Sequence, residues 1–182
     1  MCCGTGDFAI SFAKSEMPPK KITACDFSQE MVQGGKAKCQ KLRLDTDIEF
    51  MVQDCTATDL DDSSFDIVSC AFGVRNMADL DKGLLEMHRL LSAVGKVCIL
   101  EFSLPKIKPI RWLYLAYFVC ILPIIGGIIS GNFVAYRYLV SSVRDWEKNI
   151  DLPKRLTAAG FEMVTVETVS FGIASIYIAK KK

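Results

Sequence analysis

Short apolar runs alternate along this chain with stretches in which apolar positions recur every three or four residues, the marks of strands and amphipathic helices in turn. Residues 8–13, Phe-Ala-Ile-Ser-Phe-Ala, read as a helix halted by Pro18-Pro19. A strand over residues 21–25 follows. Ser28 then caps a helix running to about Arg43, weakened inside by Gly34-Gly35, and Ile48-Glu49-Phe50-Met51-Val52 alternates toward Asp54. Residues 65–72 are almost continuously apolar, as expected of a strand covered on both faces. Asp79 caps a helix whose Leu80, Leu84, Met87 and Leu91 share one face, and Gly95 precedes a strand over residues 97–102. Near the end, Asp151 opens a short helix stopped by Gly160, and two strands, residues 162–169 and 172–179, flank Ser170-Phe171 at hairpin spacing. The order β-α-β-α-β-α-β predicts an α/β fold, a mostly parallel sheet covered by helices and closed by an antiparallel hairpin. Ligands bind outside the carboxyl ends of such strands. Thr5, Asp26, Asp54 and Phe72 fall there.

One segment breaks the pattern. Residues 112–136 carry no charge, are bracketed by Arg111 and Arg137, and are interrupted by Pro123, Gly126, Gly127 and Gly131. Their length would span a bilayer. The segment nevertheless sits between two strands of one sheet, so both ends must lie on the same side of any membrane, which favours a re-entrant or interfacial cap over a span. An ordinary core helix is the other reading. With 182 residues and no linker, one domain covering 1–182 is expected, with 104–140 as an apolar cap insertion.

Lys and Arg number 22 against 21 Asp and Glu, so no global field attracts nucleic acid. Eight cysteines lack C-x-x-C spacing, and Cys25, Cys70 and Cys98 fall in apolar runs, so they read as reduced core residues. His88, the only histidine, has no partner at ligand spacing, which argues against a metal and leaves an exposed or hydrogen-bonded helix residue. No signal-peptide pattern directs secretion.

The chemistry starts at Cys3-Gly4-Thr5-Gly6-Asp7, with Asp26 twenty positions after Gly6 at the end of the next strand. Two glycines admit a ligand close to the backbone, and an acid at a strand tip accepts both ribose hydroxyls. The pair predicts an adenosine cofactor. Gly4-x-Gly6-x-x-Ala9 also fits a dinucleotide fingerprint, but a carboxylate at Asp7 beside two phosphates costs about 1 to 4 kcal/mol at about 4 Å. The same carboxylate suits an α-ammonium and a sulfonium, which favours S-adenosylmethionine over NAD; helix capping is the plain alternative for Asp7. A glycine loop of this kind follows a buried strand, and only Met1-Cys2 stands before Cys3, so the first strand is expected to be largely missing.

Cys-Gly-Thr-Gly-Asp at 3–7, Asp26-Phe27-Ser28-Gln29-Glu30-Met31, Phe72-Gly73-Val74-Arg75-Asn76, Leu100-Glu101-Phe102-Ser103, Tyr136-Arg137-Tyr138-Leu139 and Ala159-Gly160-Phe161, in that order, resemble the S-adenosylmethionine-dependent C-methyltransferases of ubiquinone and menaquinone biosynthesis. The resemblance covers essentially the whole chain and implies a Rossmann-like class I methyltransferase fold. It implies that Gly4, Thr5 and Gly6 hold the cofactor's amino-acid and ribose side, that Asp26, with Phe27 beside it, takes the ribose, that Asp54 and Cys55 flank the adenine, and that Ala71 stands where a contacting Ser is common. That exchange costs one hydrogen bond, about 0.5 to 1.5 kcal/mol net. Another departure is Ser92-Ala93-Val94-Gly95 in place of Lys-Pro-Gly-Gly.

The reaction implied is methyl transfer to a ring carbon of a reduced polyprenyl quinone, with Arg75 stabilising phenolate charge, Asn76 orienting a water, Glu101 as an alternative base, and Tyr117, Tyr136 and Tyr138 toward the substrate. Arg75 as a structural salt bridge is the competing reading. The implied setting is the cytoplasm, at the inner membrane face, or the matrix side of the mitochondrial inner membrane in a eukaryote. A homo-oligomer or a quinone-synthesis complex is compatible with it. An NAD-dependent oxidoreductase and a non-catalytic scaffold in such a complex remain as alternatives.

Overall fold

Gly6, at φ 78°, is the left-handed residue from which the first helix starts. A side chain there would also strike the ring of Phe50, whose Cζ lies 2.6 Å from an ideal Cβ position. That close approach seats α1 (Asp7–Ala13) on β1 (Lys21–Asp26) and β2 (Asp47–Val52), around a small core of Ala9, Ala24, Val32 and Phe50. The computed structural model describes residues 1–42, 44, 46–131 and 133–182, and of Ile129, Ser130 and Ala135 the backbone alone. Between β1 and β2, Ser28 accepts the Met31 N–H and starts α2 (Gln29–Gln40). The expected end of this helix near Arg43 lies outside the described residues.

The second half forms around β3 (Phe65–Ala71), α3 (Leu80–Leu90) and β4 (Leu91–Phe102). Asp79 caps α3 through the Lys82 N–H, as its sequence position predicts. Leu84, Met87 and Leu90 are fully buried against β3 and β4 in the main core. β4 begins earlier than the apolar pattern suggests: Leu91 already pairs with Phe65, and the register then jumps to Ile67 with Lys96, so Ser92-Ala93-Val94-Gly95 bulges out between them.

α4 (Lys108–Ala116) continues through a π-helical turn (Tyr117–Ile121) into α5 (Leu122–Ser130), and α6 (Phe133–Asn149) folds back beside α5. Gly126 and Gly127 make that return possible, because the rings of Tyr136 and Phe133 occupy the space where their Cβ atoms would be. After α7 (Leu152–Ala158), β5 (Phe161–Val169) and β6 (Ala174–Lys181) form the expected hairpin, with β6 inserted between β4 and β5. His88 sits on α3 and is not exposed. It is half-buried, edge-on to Phe161 with ring centres 5.2 Å apart, and burial lowers its pKa.

The sheet is not continuous. β1 pairs in parallel with β2, and β3, β4, β6 and β5 form a second sheet, parallel at β3-β4 and antiparallel elsewhere. A cavity of about 480 Å³, lined by Ile22 and Thr23 on one side and Ile67 and Val68 on the other, lies between the inner edges. Residues 1–3 bridge its upper end: the Met1 ammonium donates to the Ser69 carbonyl at 2.7 Å and the Cys3 N–H to that of Cys25 at 2.9 Å.

Candidate active site

Around the carboxyl ends of β1, β2 and β3 lies a cavity of about 870 Å³. Its lining brings together Gly4, Thr5, Asp7, Asp26, Phe27, Asp54, Cys55, Ala71 and Asn76, all of them named by sequence reasoning. Gly4, at φ 52°, has nothing within 4 Å of where a Cβ would stand, so the backbone is open to a ligand. Gly6 is the exception among the predicted cofactor residues. It does not line the cavity, because it faces Phe50 and serves helix packing.

Asp26 ends β1 with both carboxylate oxygens engaged by backbone: Oδ2 accepts the Gly4 N–H at 2.7 Å and Oδ1 the Ser28 N–H at 3.0 Å. The carboxylate thus ties the loop before α1 to the start of α2, and each oxygen keeps acceptor capacity for a hydroxyl. Asp54 is fixed more simply. Thr56 donates both its N–H and its hydroxyl to Oδ1 at 2.8 Å, lowering the Asp54 pKa and leaving Oδ2 available. Cys55 beside it is buried, and its Sγ accepts the Cys2 N–H at 3.3 Å. Hydrogen bonding with the Cys2 thiol and burial push the Cys55 thiol far up, so it is inert.

Asp7 calls for a correction. Its carboxylate is not a free anion awaiting a ligand cation: Lys38 Nζ donates to Oδ1 at 2.7 Å and the Thr5 hydroxyl to Oδ2 at 3.0 Å, and these bonds lower its pKa. Lys38 offsets part of the repulsion on which the sequence argument against phosphate rested. Nor is Asp7 a cap, since it occupies the first turn of α1 after Gly6.

Arg75 is a second correction. Its guanidinium turns away from the cavity, with Nη1 donating to Glu101 Oε1 at 2.7 Å and to the Phe72 carbonyl at 2.6 Å, and Cζ 5.1 Å from the centre of the Phe102 ring. Glu101 is fully buried, and burial raises its pKa against the pull of Arg75, so it is not a solvent-accessible base. This buried pair holds the turn Val74–Asn76 in place. Its neighbour Asn76 reaches the cavity, and the Tyr138 hydroxyl of α6 donates to Asn76 Oδ1 at 3.1 Å. Tyr117 and Tyr136 do not line the cavity; Tyr117 lies on the outward side of the π-helical turn and Tyr136 packs on Gly126.

Several lining residues escaped sequence reasoning. Phe8 directly follows Asp7, and Ser11 on α1 and Met31 on α2 lie one helical turn beyond Asp7 and Phe27, a spacing that places them over the same strand ends. Phe72 adopts φ 56°, a left-handed conformation costing a bulky residue about 1 to 3 kcal/mol. Its ring packs on Phe102 with centres 4.5 Å apart while also facing the cavity.

A sequence model described as the ubiE/COQ5 methyltransferase family matches residues 1–181. The chain is 39% identical over 178 residues to the ubiquinone/menaquinone biosynthesis C-methyltransferase UbiE of Geotalea uraniireducens, covering 98% of this chain and 75% of that one. It is 36% identical over 181 residues to the demethylmenaquinone methyltransferase of Thermus thermophilus, covering 100% and 80%. Among solved structures, a SAM-dependent methyltransferase from Methanosarcina mazei superposes with a TM-score of 0.60 at 17% identity, covering 98% and 89%, a likeness of fold.

Proposed function

The chain belongs to the ubiE/COQ5 methyltransferase family, and from that membership we propose how its cavity serves an S-adenosylmethionine-dependent C-methyltransferase of ubiquinone/menaquinone biosynthesis. The reading rests on one observation: Gly4, Asp26, Asp54 and Asn76, from four separate loops, line one cavity. The residues fit the cofactor. Asp26 is held by two backbone amides and keeps acceptor capacity for a ribose, Asp54 Oδ2 is available to an exocyclic amine, and Gly4 leaves the backbone open. The dinucleotide alternative has no support among the relatives.

When bound, S-adenosylmethionine supplies an electrophilic methyl on a sulfonium. The protein's part is to align that group with a ring carbon activated by a neighbouring hydroxyl. Asn76 is the donor we assign to the ring oxygen: with Oδ1 occupied by Tyr138, its Nδ2 is the free end. Arg75 and Glu101 act behind it by fixing the turn. With the cofactor bound, its methyl would pass from sulfur to the ring carbon, and the displaced ring proton would leave to water. The substrate's polyprenyl tail would lie along the apolar surface of α4 and α5, a reading supported by the exposure of Leu113, Ile124 and Ile128 there.

Thermal unfolding of the purified chain with S-adenosylhomocysteine or NADH tests the cavity. S-adenosylhomocysteine is expected to raise the midpoint, and Asp26→Ala to abolish that rise. Stabilisation by NADH alone would reject the assignment. Binding without transfer of a labelled methyl group to a prenylated naphthohydroquinone would favour the scaffold.

A further inference from the structure

We propose that the outward face of the α4–α5 rod, with the first turn of α6, docks on the anionic lipid surface of a bilayer and lies in its interface without crossing it. The proposal deepens the quinone reading, on which it rests for the direction from which a lipid-dissolved substrate arrives. The rod is two-faced. Tyr114 and Phe118 are buried against Leu104, Val140 and Val143, whereas Leu113, Tyr117, Ile121, Ile124 and Ile128, at steps of four, four, three and four, form a stripe turned to solvent. Trp112 is 79% exposed, Leu113 72%, Ile128 70% and Val134 78%. Monomeric proteins rarely leave so continuous an apolar surface bare.

Charge identifies what covers it. Residues 103–144 contain five of the chain's 22 Lys and Arg and none of its 21 Asp and Glu. Lys106, Lys108, Arg111 and Arg137 are all exposed and flank the apolar stripe. Glu147 of α6, near Lys106 and Arg111, offsets part of this charge and leaves the segment basic. An apolar stripe edged only by cations suits a surface of anionic headgroups over hydrocarbon, where buried area and electrostatic attraction act together. It does not suit a second copy of the same face, which would set cation against cation.

The same packing excludes a span. The helix Lys108–Ile128 is long and apolar enough to cross a bilayer, but one side of it is already committed to the protein body. Both of its ends also return to the fold, through β4 before it and through α6, whose Tyr138 is bonded to Asn76, after it.

Flotation of the full chain with vesicles of phosphatidylcholine alone, or with about 30 mol % phosphatidylglycerol, tests the proposal. Binding is expected to the anionic vesicles only, and to fall about fivefold for each of Lys106→Gln and Arg111→Gln. Ile128→Glu should abolish it while the thermal shift with S-adenosylhomocysteine is retained, showing that the variant folds. Trp112 fluorescence should be quenched more by lipids brominated near the headgroup than by those brominated at the chain end. Equal binding to neutral vesicles, no binding, or strongest quenching from the bilayer centre would each overturn the proposal. So would a dimer dispersed by Ile128→Glu in a chain that ignores lipid. Loss of the S-adenosylhomocysteine shift in the unmutated chain would instead strike the methyltransferase assignment and leave the lipid result standing.

Discussion

Tyr138 and Asn76 are 62 positions apart, yet one hydrogen bond joins α6 to the turn whose Asn76 lines the cavity. If Tyr138 acts by holding the Asn76 amide in one orientation, Tyr138→Phe and Asn76→Ala should each weaken binding of 1,4-dihydroxynaphthalene to the S-adenosylhomocysteine complex, by about 0.5 to 1.5 kcal/mol. The double variant should lose no more than Asn76→Ala alone; calorimetric titration of all four proteins closes the cycle, and additive losses would separate the two residues. Residues whose roles are set by local geometry were legible in the sequence: Gly4, Asp26 and Asp54 stand at loop and strand ends wherever the rest of the chain goes. Residues whose roles depend on a distant partner were not. Asp7 looked unpaired because Lys38 is 31 positions away, and the salt-bridge reading of Arg75 had no named partner because Glu101 is 26 positions away.

Among the elements, α3 is anchored by more than its apolar face. Glu86 on its buried side accepts the Thr58 N–H at 2.8 Å and the Thr58 hydroxyl at 2.6 Å, and both its oxygens accept from Arg89, which also holds the Leu60 carbonyl and Asp62. The Arg89 guanidinium, with help from Thr58, holds the Glu86 carboxyl at about 2 against an ordinary 4.5. A carboxyl lowered in the folded state stabilises fully above its ordinary value and loses that contribution as pH falls toward the folded one. Glu86→Gln is therefore expected to cost about 1 to 3 kcal/mol at pH 7. Urea unfolding should find that deficit shrinking between pH 4.5 and pH 2. Helices and strands with a clear period and a cap, such as α3 behind Asp79, were readable from sequence. The start of β4 was not, because the bulge at residues 92–95 is set by pairing with β3 and not by any local period.

Across the whole molecule, the fold class and the closing hairpin follow from the order of elements, whereas the division into two sheets depends on what lies between β1 and β3. The cavity of about 870 Å³ draws Gly4, Asp26 and Asp54 from the β1–β2 half and Ala71, Phe72 and Asn76 from the other. Native-state hydrogen exchange should accordingly find β1 and β2 opening more readily than β4 and β6, with the difference narrowing once S-adenosylhomocysteine is bound. Unchanged exchange in β1 and β2 would mean that the halves are already coupled. A nucleoside seated across that divide is mortar between the two halves. At a hundredfold excess over its dissociation constant it adds about 2.7 kcal/mol of stability. The chain's survival against cellular proteases would then follow the supply of methyl donor, so that a starved cell loses the enzyme along with its substrate.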